Sequence, residues 1–171
     1  HIKEGKKTEC PQTGTVEFRD VSFRYPNAAE DELEHISFKV EKGQTMAIIG
    51  ATGSGKTTLV SLIPRFYDAT QGEVLVDGVN VKELSFDALY DKLGYVTQKA
   101  VLFSGTVRDN IFFGRSAQPE TEDTLSQALS LSQAAEFVSK YAEKAAHPIA
   151  QLGRNVSGGQ KQRLSIARAL A

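Results

Sequence analysis

The 171-residue sequence has a single cysteine, Cys10. One thiol cannot close an internal disulfide or hold zinc by itself, and a reducing compartment is the natural setting for such a chain. An excess of charge of one sign is also missing: 20 Lys and Arg stand against 21 Asp and Glu, a net charge of −1. That balance argues against a partner recognised by bulk charge, so neither nucleic acid nor an anionic membrane face is expected. No run approaches the ~20 apolar residues that a membrane-spanning helix needs, and no signal-peptide pattern opens the chain. Methionine is nearly absent; the only one is Met46. The chain therefore starts at His1 without an initiator and stops at Ala171 inside a helical pattern. Both ends are expected to be cuts in a longer polypeptide.

What is present is globular in character, with 40% hydrophobic and 24% charged residues. The length suits about one domain and can bury ~70% of the unfolded surface. Residues 1–14 are polar and read as a linker or terminal arm. Val16 and Phe18, then Val21, Phe23 and Tyr25, alternate with a phase slip at Asp20, which predicts two short strands or a bulge. Ile36, Phe38 and Val40 predict a half-buried strand. Thr45–Ile49 is mostly apolar, as for a central strand covered on both faces. A short apolar helix is expected over Thr58–Ile63, a hairpin at Glu73–Gly78, a short helix from Ser85 to Lys92, and a strand over Leu93–Thr97. Thr106–Phe113, Glu120–Leu131 and Gln133–Lys144 read as helices, and Ser157 opens a last one. Strands come first and helices later. The expected fold class is therefore α/β, with an antiparallel β portion and a helical subdomain.

Gly50-Ala51-Thr52-Gly53-Ser54-Gly55-Lys56-Thr57 fits G-x-x-x-x-G-K-[ST], between an expected buried strand and an expected helix. Glycines let the backbone fold back so that several N–H groups face one point, which suits a phosphate chain. Lys56 adds a positive charge for the outer phosphates, and the Thr57 hydroxyl suits Mg²⁺. With glycine at its average usage of ~7%, a chance match in a chain of this size is on the order of one in a few hundred. The alternative is a glycine-rich turn with a surface lysine. The loop points to a nucleoside triphosphate without naming the process.

Val156-Ser157-Gly158-Gly159-Gln160 lies far downstream. Ser157 and Gln160 have the S-x-x-Q spacing of a capping box, and a well-capped helix is one complete reading. Glycines are unfavourable in a first helical turn, however, and Gly158 and Gly159 make sense if something large and anionic approaches the backbone there.

At this point the chain resembles the nucleotide-binding domain of ABC transporters, from about Thr15 to Ala171. The family signature is L-S-G-G-Q, and Val156 stands in place of the Leu. The resemblance implies a P-loop NTPase core at residues 15–105 with an N-terminal antiparallel β subdomain, a helical subdomain at 106–157, and a signature helix at 158–171. Residues 1–14 would be the link from a membrane domain. In Phe23-Arg24-Tyr25-Pro26, Tyr25 matches the aromatic residue that stacks on adenine; taken alone it could simply pack at a strand end. The implied nucleotide contacts are Gly50, Ala51, Thr52, Gly53, Ser54, Gly55, Lys56, Thr57 and Thr58. Gln98, in Tyr95-Val96-Thr97-Gln98, matches a glutamine that senses Mg²⁺ and the attacking water; taken alone it is an ordinary loop amide. Thr57 and Gln98 would thus serve the metal, and Lys56 and Gln98 the chemistry. Arg65-Phe66-Tyr67-Asp68 and Ser104–Ile111 look like the exporter branch.

The resemblance further implies ATP and Mg²⁺ as ligands and a head-to-tail dimer with a second such domain. Ser157, Gly158, Gly159 and Gln160 of one subunit would contact the nucleotide of the other. The transporter's transmembrane domains would be partners, and the location the cytoplasmic face of the cell membrane. Hydrolysis also needs a Mg²⁺-holding Asp at the end of an apolar strand. In this family that strand follows the signature helix. The only such run here, Val74-Leu75-Val76-Asp77, comes too early and reads as a turn with Gly78. The segment alone is therefore expected to bind rather than turn over. His147 precedes the signature and cannot be the family's switch histidine; His35 and His147 read as surface or structural. The segment 149–154 departs from the usual exporter pattern. A rival reading is the head of a soluble ABC-type ATPase, which would usually carry a long coiled coil or tandem heads.

Overall fold

A computed structural model describes residues 2–114 and 119–171. His1, first residue of the expected linker, and positions 115–118 of the expected helical segment lie outside the described residues. The chain divides into two compact units, His1–Lys92 and Leu93–Ala171.

The first unit is built on an antiparallel sheet of four strands, β1 (Val16–Phe23), β2 (Leu33–Val40), β3 (Gln71–Val76) and β4 (Val79–Asn80), in the order β2-β1-β3-β4. The phase slip in the sequence is a bulge within one strand. Register shifts between Phe18 and Val21 against β2, and between Arg19 and Ser22 against β3, with Asp20 at φ 49°. The extra residue turns Phe18, Val21 and Phe23 all inward, where each is at most 2% exposed. Asp77 and Gly78 join β3 to β4 with φ of 52° and 77°, the paired left-handed geometry of a tight two-residue hairpin. Two short helices complete the unit, α1 (Lys56–Ser61) and α2 (Phe86–Tyr90), the latter capped by the Ser85 hydroxyl.

The N-terminal arm lies against this unit. The Gly5 amide donates to the Leu84 carbonyl, the Lys7 amide to the Glu83 carbonyl, and Ser85 N–H to the Lys7 carbonyl. Arg65, buried, donates from Nη2 to the Lys3 carbonyl (2.8 Å) and pairs with Asp68 at 2.6 Å.

Two expected strands are not formed. Thr45–Ile49 joins no described sheet, and Met46, Ile48 and Ile49 are 41%, 36% and 93% exposed. Leu93–Thr97 is likewise irregular. A strand covered on both faces exists only through ladder partners on each side, and no described strand supplies them.

In the second unit, β5 (Gly105–Thr106) pairs antiparallel with β6 (Pro148–Ile149). Its helices are α3 (Val107–Ile111), α4 (Glu122–Leu131), α5 (Ala135–Val138) and α6 (Gly158–Leu170). Both α3 and α4 pack on α6. Leu125, Ala128 and Leu129 of α4 meet Leu164 and Ala167 of α6 in one buried cluster with Val107, Ile111 and Val156. The helix expected over Gln133–Lys144 is only α5 and a 3-10 turn at Lys144–Ala146. Left-handed backbone at Gln133 and Lys144 (φ 59° and 49°) bounds the stretch at both ends, and Tyr141 stacks on His147 at 3.8 Å as the chain turns back.

Candidate functional site

The phosphate loop lies on the first unit, with Ala51–Ser54 exposed ahead of α1. Gly55 is the residue before the helix, at φ 77°; a Cβ there would sit 2.8 Å from Leu33 Cδ2 and 3.2 Å from the Glu32 carbonyl. Glycine is thus required twice over, by backbone conformation and by space. The Lys56 ammonium is folded into the loop, donating to the carbonyls of Gly50 (2.8 Å) and Ala51 (2.5 Å) and to Ser54 Oγ (3.2 Å). Its three donors meet three acceptors, so the charge is held at the centre of the loop rather than loose in solvent. No side chain caps α1 and no acidic residue stands in its first turn, although the Glu32 carboxylate lies near Gly55, 3.6 Å from where its Cβ would be. Thr57 is exposed and Thr58 buried. An exposed hydroxyl, a centred ammonium and uncapped helix-start amides fit a polyphosphate with a hard cation.

Tyr25 reaches the same place. Its hydroxyl is 2.8 Å from Thr58 Oγ1, and its ring meets Phe23 and Tyr67 edge-on, at 4.8 and 5.2 Å. The fold therefore brings Tyr25 and the whole stretch Gly50–Thr58 together within one unit.

Gln98 and the 156–160 stretch belong to the second unit. Gln98 is exposed on an irregular segment, next to Thr97, whose hydroxyl donates to the Lys99 carbonyl at 2.6 Å. Ser157 forms the capping box expected of it: its hydroxyl accepts from Gln160 N–H (3.2 Å), and its own N–H donates to Gln160 Oε1 (2.9 Å). The cap does not account for the glycines. A Cβ on Gly158 or Gly159 would meet nothing within 4 Å, and neither has a left-handed backbone. Packing and conformation leave both positions free for a side chain.

Sequence reasoning missed what holds α6 in place. Asn110 is 1% exposed; its amide oxygen accepts from Phe103 N–H (2.8 Å) and Arg168 Nη2 (3.1 Å). Its amide nitrogen donates to the carbonyls of Phe103 (2.8 Å) and Thr106 (3.0 Å). Arg168 also donates to the Asn110 carbonyl at 2.6 Å and to the Val101 carbonyl at 3.0 Å, and lies over the stacked rings of Phe103 and Phe113. Burial without a carboxylate partner pulls the guanidinium pKa down. The helical spacing of Leu164, Ala167 and Leu170 marks the apolar face of α6, and no pattern marks an arginine that reaches carbonyls 58 to 67 residues away.

The remaining titratable candidates are structural. Asp77 ends an apolar strand but turns onto the arm, accepting from the N–H groups of Gly14 and Thr15 and from the Thr13 hydroxyl. Burial pushes its carboxyl up, but the Thr15 amide, the Thr13 hydroxyl, the Gly14 amide and Lys92 outweigh that and hold its pKa below the ordinary carboxylate value. His147 pairs with Glu143 at 3.3 Å. His35 pairs with Asp20, whose hydrogen bond and charge raise its pKa. Among the described residues no cluster of His, Cys, Asp and Glu could hold a metal ion, and no helix is long and apolar enough to cross a membrane.

Comparison with known proteins identifies the family. The family profile described as ABC transporter matches residues 33–171. The chain is 40% identical, over 99% of its length, to the Beta-(1-->2)glucan export ATP-binding/permease protein NdvA of Bartonella quintana (strain Toulouse), of which it covers 28%. It is 40% identical, over 98% of its length, to the ATP-dependent lipid A-core flippase of Escherichia coli (strain K12), again covering 28%. Among solved structures, a bacterial Atm1-family ABC exporter with ATP bound superposes at a TM-score of 0.86 and 32% identity, with 98% of this chain and 29% of that one covered. The chain thus spans less than a third of these relatives. It belongs to the ABC transporter family, in a segment similar to exporter-type members.

Proposed function

We propose that this chain is the ATP-binding domain of an ABC exporter, which binds MgATP and, in the intact dimer, couples its hydrolysis to transport of a substrate across a membrane. The observation that carries this reading is the Lys56 ammonium enclosed by Gly50, Ala51 and Ser54. A polyphosphate entering the loop would replace those neutral acceptors with negatively charged oxygens, adding ion-pair attraction to contacts that are already charge-assisted on the lysine side. In this reading the Gly50–Thr58 backbone cradles the phosphates, Lys56 neutralises the outer ones, Thr57 ligates Mg²⁺, and Tyr25 stacks on the base. Gln98 orients the metal-bound end and the attacking water. Mg²⁺, when bound, neutralises charge on the transferred phosphoryl group.

The signature end would act on a nucleotide held by a second nucleotide-binding domain. The Ser157 hydroxyl, already accepting from Gln160, retains its own proton to donate to a γ-phosphate oxygen, and Gly158 and Gly159 let that phosphate reach the backbone. Residues 1–14 would lead from transmembrane domains, and the domain would work at the cytoplasmic face of the membrane. Residues 15–105 would be the β subdomain and P-loop core, 106–157 the helical subdomain and 158–171 the signature helix.

A second reading, nucleotide binding without turnover by this segment, has one specific support. Asp77, the carboxylate at the end of an apolar strand, is engaged by Gly14 and Thr15. Titration calorimetry with MgATP tests the first reading. Lys56→Ala is expected to weaken binding at least tenfold, since a charge-assisted contact of ~1.5–3 kcal/mol is lost. Unchanged affinity would remove the loop from the mechanism. Phosphate release dependent on Lys56 in this 171-residue chain would exclude the second reading.

A further inference from the structure

An aromatic ring at the end of a strand swings about two side-chain torsions, and a ring that must be stilled on binding lowers affinity by the entropy lost. Tyr25 is held before any ligand arrives. At its tip the hydroxyl is tied to Thr58 Oγ1 at 2.8 Å, and Thr58 is 5% exposed on α1, directly after the phosphate loop. On its flanks stand Phe23 and Tyr67, with centroids at 4.8 and 5.2 Å and interplanar angles of 82° and 85°. Phe23 and Tyr67 also touch each other at 5.4 Å, so three rings form a closed cluster. Phe23 is 2% exposed and belongs to the core, whereas Tyr67 is 39% exposed and contributes little to it. The near-perpendicular ring geometry is the favoured one between aromatic quadrupoles. Tyr25 itself remains half-buried, with surface left over for a base.

We infer that Tyr67 and Thr58 are positioning residues: they hold the Tyr25 ring ready for a planar base, so that the preference of this site for a nucleotide over a bare triphosphate rests on them. The inference rests on the reading of Tyr25 as the base-stacking residue. The Tyr25–Thr58 hydroxyl pair has a further effect. It joins the base-binding ring to the first turn of the helix after the phosphate loop, so base and phosphate recognition share one rigid element. Losing the Tyr67 ring or the Thr58 hydroxyl frees the Tyr25 ring while leaving residues 50–57 unchanged.

Calorimetry with MgATP and with Mg-tripolyphosphate separates the two components of affinity in the 171-residue chain. In Tyr67→Leu the ring is lost and the bulk largely kept. MgATP binding is expected to weaken roughly three- to tenfold, the worth of one aromatic pair, with tripolyphosphate binding unchanged; Tyr67→Phe restores the ATP value. Tyr25→Phe, Thr58→Val and the double variant form a cycle in which the double variant should weaken the ATP-to-tripolyphosphate ratio no more than Tyr25→Phe alone. Equal weakening toward both ligands in Tyr67→Leu would mark a structural role and overturn the inference. If Tyr67→Leu does not fold, the hydroxyl cycle decides: additive effects overturn it. Tyr25→Ala separates the two levels. If it leaves the ratio unchanged, the base-stacking reading fails and the inference with it. If it lowers the ratio while Tyr67→Leu and Tyr25→Phe do not, only the inference fails.

Discussion

Replacing Asp77 tests whether a carboxylate, rather than apolar packing, fastens the arm to the first unit. Its side chain accepts from Gly14 N–H, from Thr15 N–H at 3.1 Å and from the Thr13 hydroxyl at 3.0 Å, with Lys92 at 3.9 Å. A hydrogen bond to a charged group contributes about 1.5–3 kcal/mol. Three such bonds would sum to about 4.5–9 kcal/mol, but Thr13 and Gly14 are exposed, so their freed donors regain water and the loss is discounted to about 3 kcal/mol. Asp77 also sits at φ 52°, where alanine costs about 1 kcal/mol and Asn or Asp is tolerated. Asp77→Ala should therefore lose about 3–4 kcal/mol, and Asp77→Asn, which keeps one acceptor oxygen and the backbone tolerance, about 1–2 kcal/mol. At about 2–4 °C per kcal/mol for a chain of this size, melts followed by circular dichroism should drop by roughly 6–16 °C and roughly 2–8 °C. Because the folded-state pKa lies below the ordinary 3.8, the stabilisation is complete above that ordinary value and is lost as pH falls through the folded-state one. The parent melting temperature should fall across that acid window more steeply than that of Asp77→Asn. Equal melting temperatures for the two variants, or parallel pH profiles for parent and Asn, would refute a charged clasp.

Two further outcomes are expected. Gly159→Ala should raise stability by a few tenths to about 1 kcal/mol, because alanine favours the helix and its Cβ meets nothing. On the proposed reading the same change should weaken ATP-driven dimer formation in the full-length transporter, measured by crosslinking, so stability and association move in opposite directions. Asn110→Leu removes the partner of two backbone carbonyls, one amide and Arg168. It should cost about 3–5 kcal/mol in denaturant unfolding, the range for a broken buried polar network; a loss under 1 kcal/mol would show that Arg168 alone secures α6.

The parts of the fold legible in the sequence are those set by a few neighbouring residues. The phase slip at Asp20, the Asp77-Gly78 turn and the Ser157–Gln160 cap are each local chemistry, and each is present. The Gly50–Thr57 loop was legible as a loop for the same reason, since its geometry is made by its own glycines and lysine. What could not be read depends on distant partners. The apolar run Thr45–Ile49 has the composition of a central strand, but a strand is a relation between segments, and no described segment pairs with it. The helix over Gln133–Lys144 had acceptable propensity, yet left-handed backbone at Gln133 and Lys144 and the Tyr141–His147 stack override it. The roles of Asn110 and Arg168 carry no sequence signal because most of their partners are backbone carbonyls, which leave no trace in residue type.

The arm has a mechanical consequence. From Gly5 to Lys7 it runs beside Glu83–Ser85 in a short parallel pairing, and Arg65 and Asp77 grip it at Lys3 and at Gly14–Thr15. A pull on the chain at residue 2 meets the Lys3 and Gly5–Lys7 holds before it can reach the Asp77 clasp. The holds are spaced along the arm and take load in that order, the one nearest the pulled end first. Tension applied there is therefore delivered to the segment after β4 and to the β3–β4 hairpin, and a displacement of the arm becomes a displacement of that corner of the sheet.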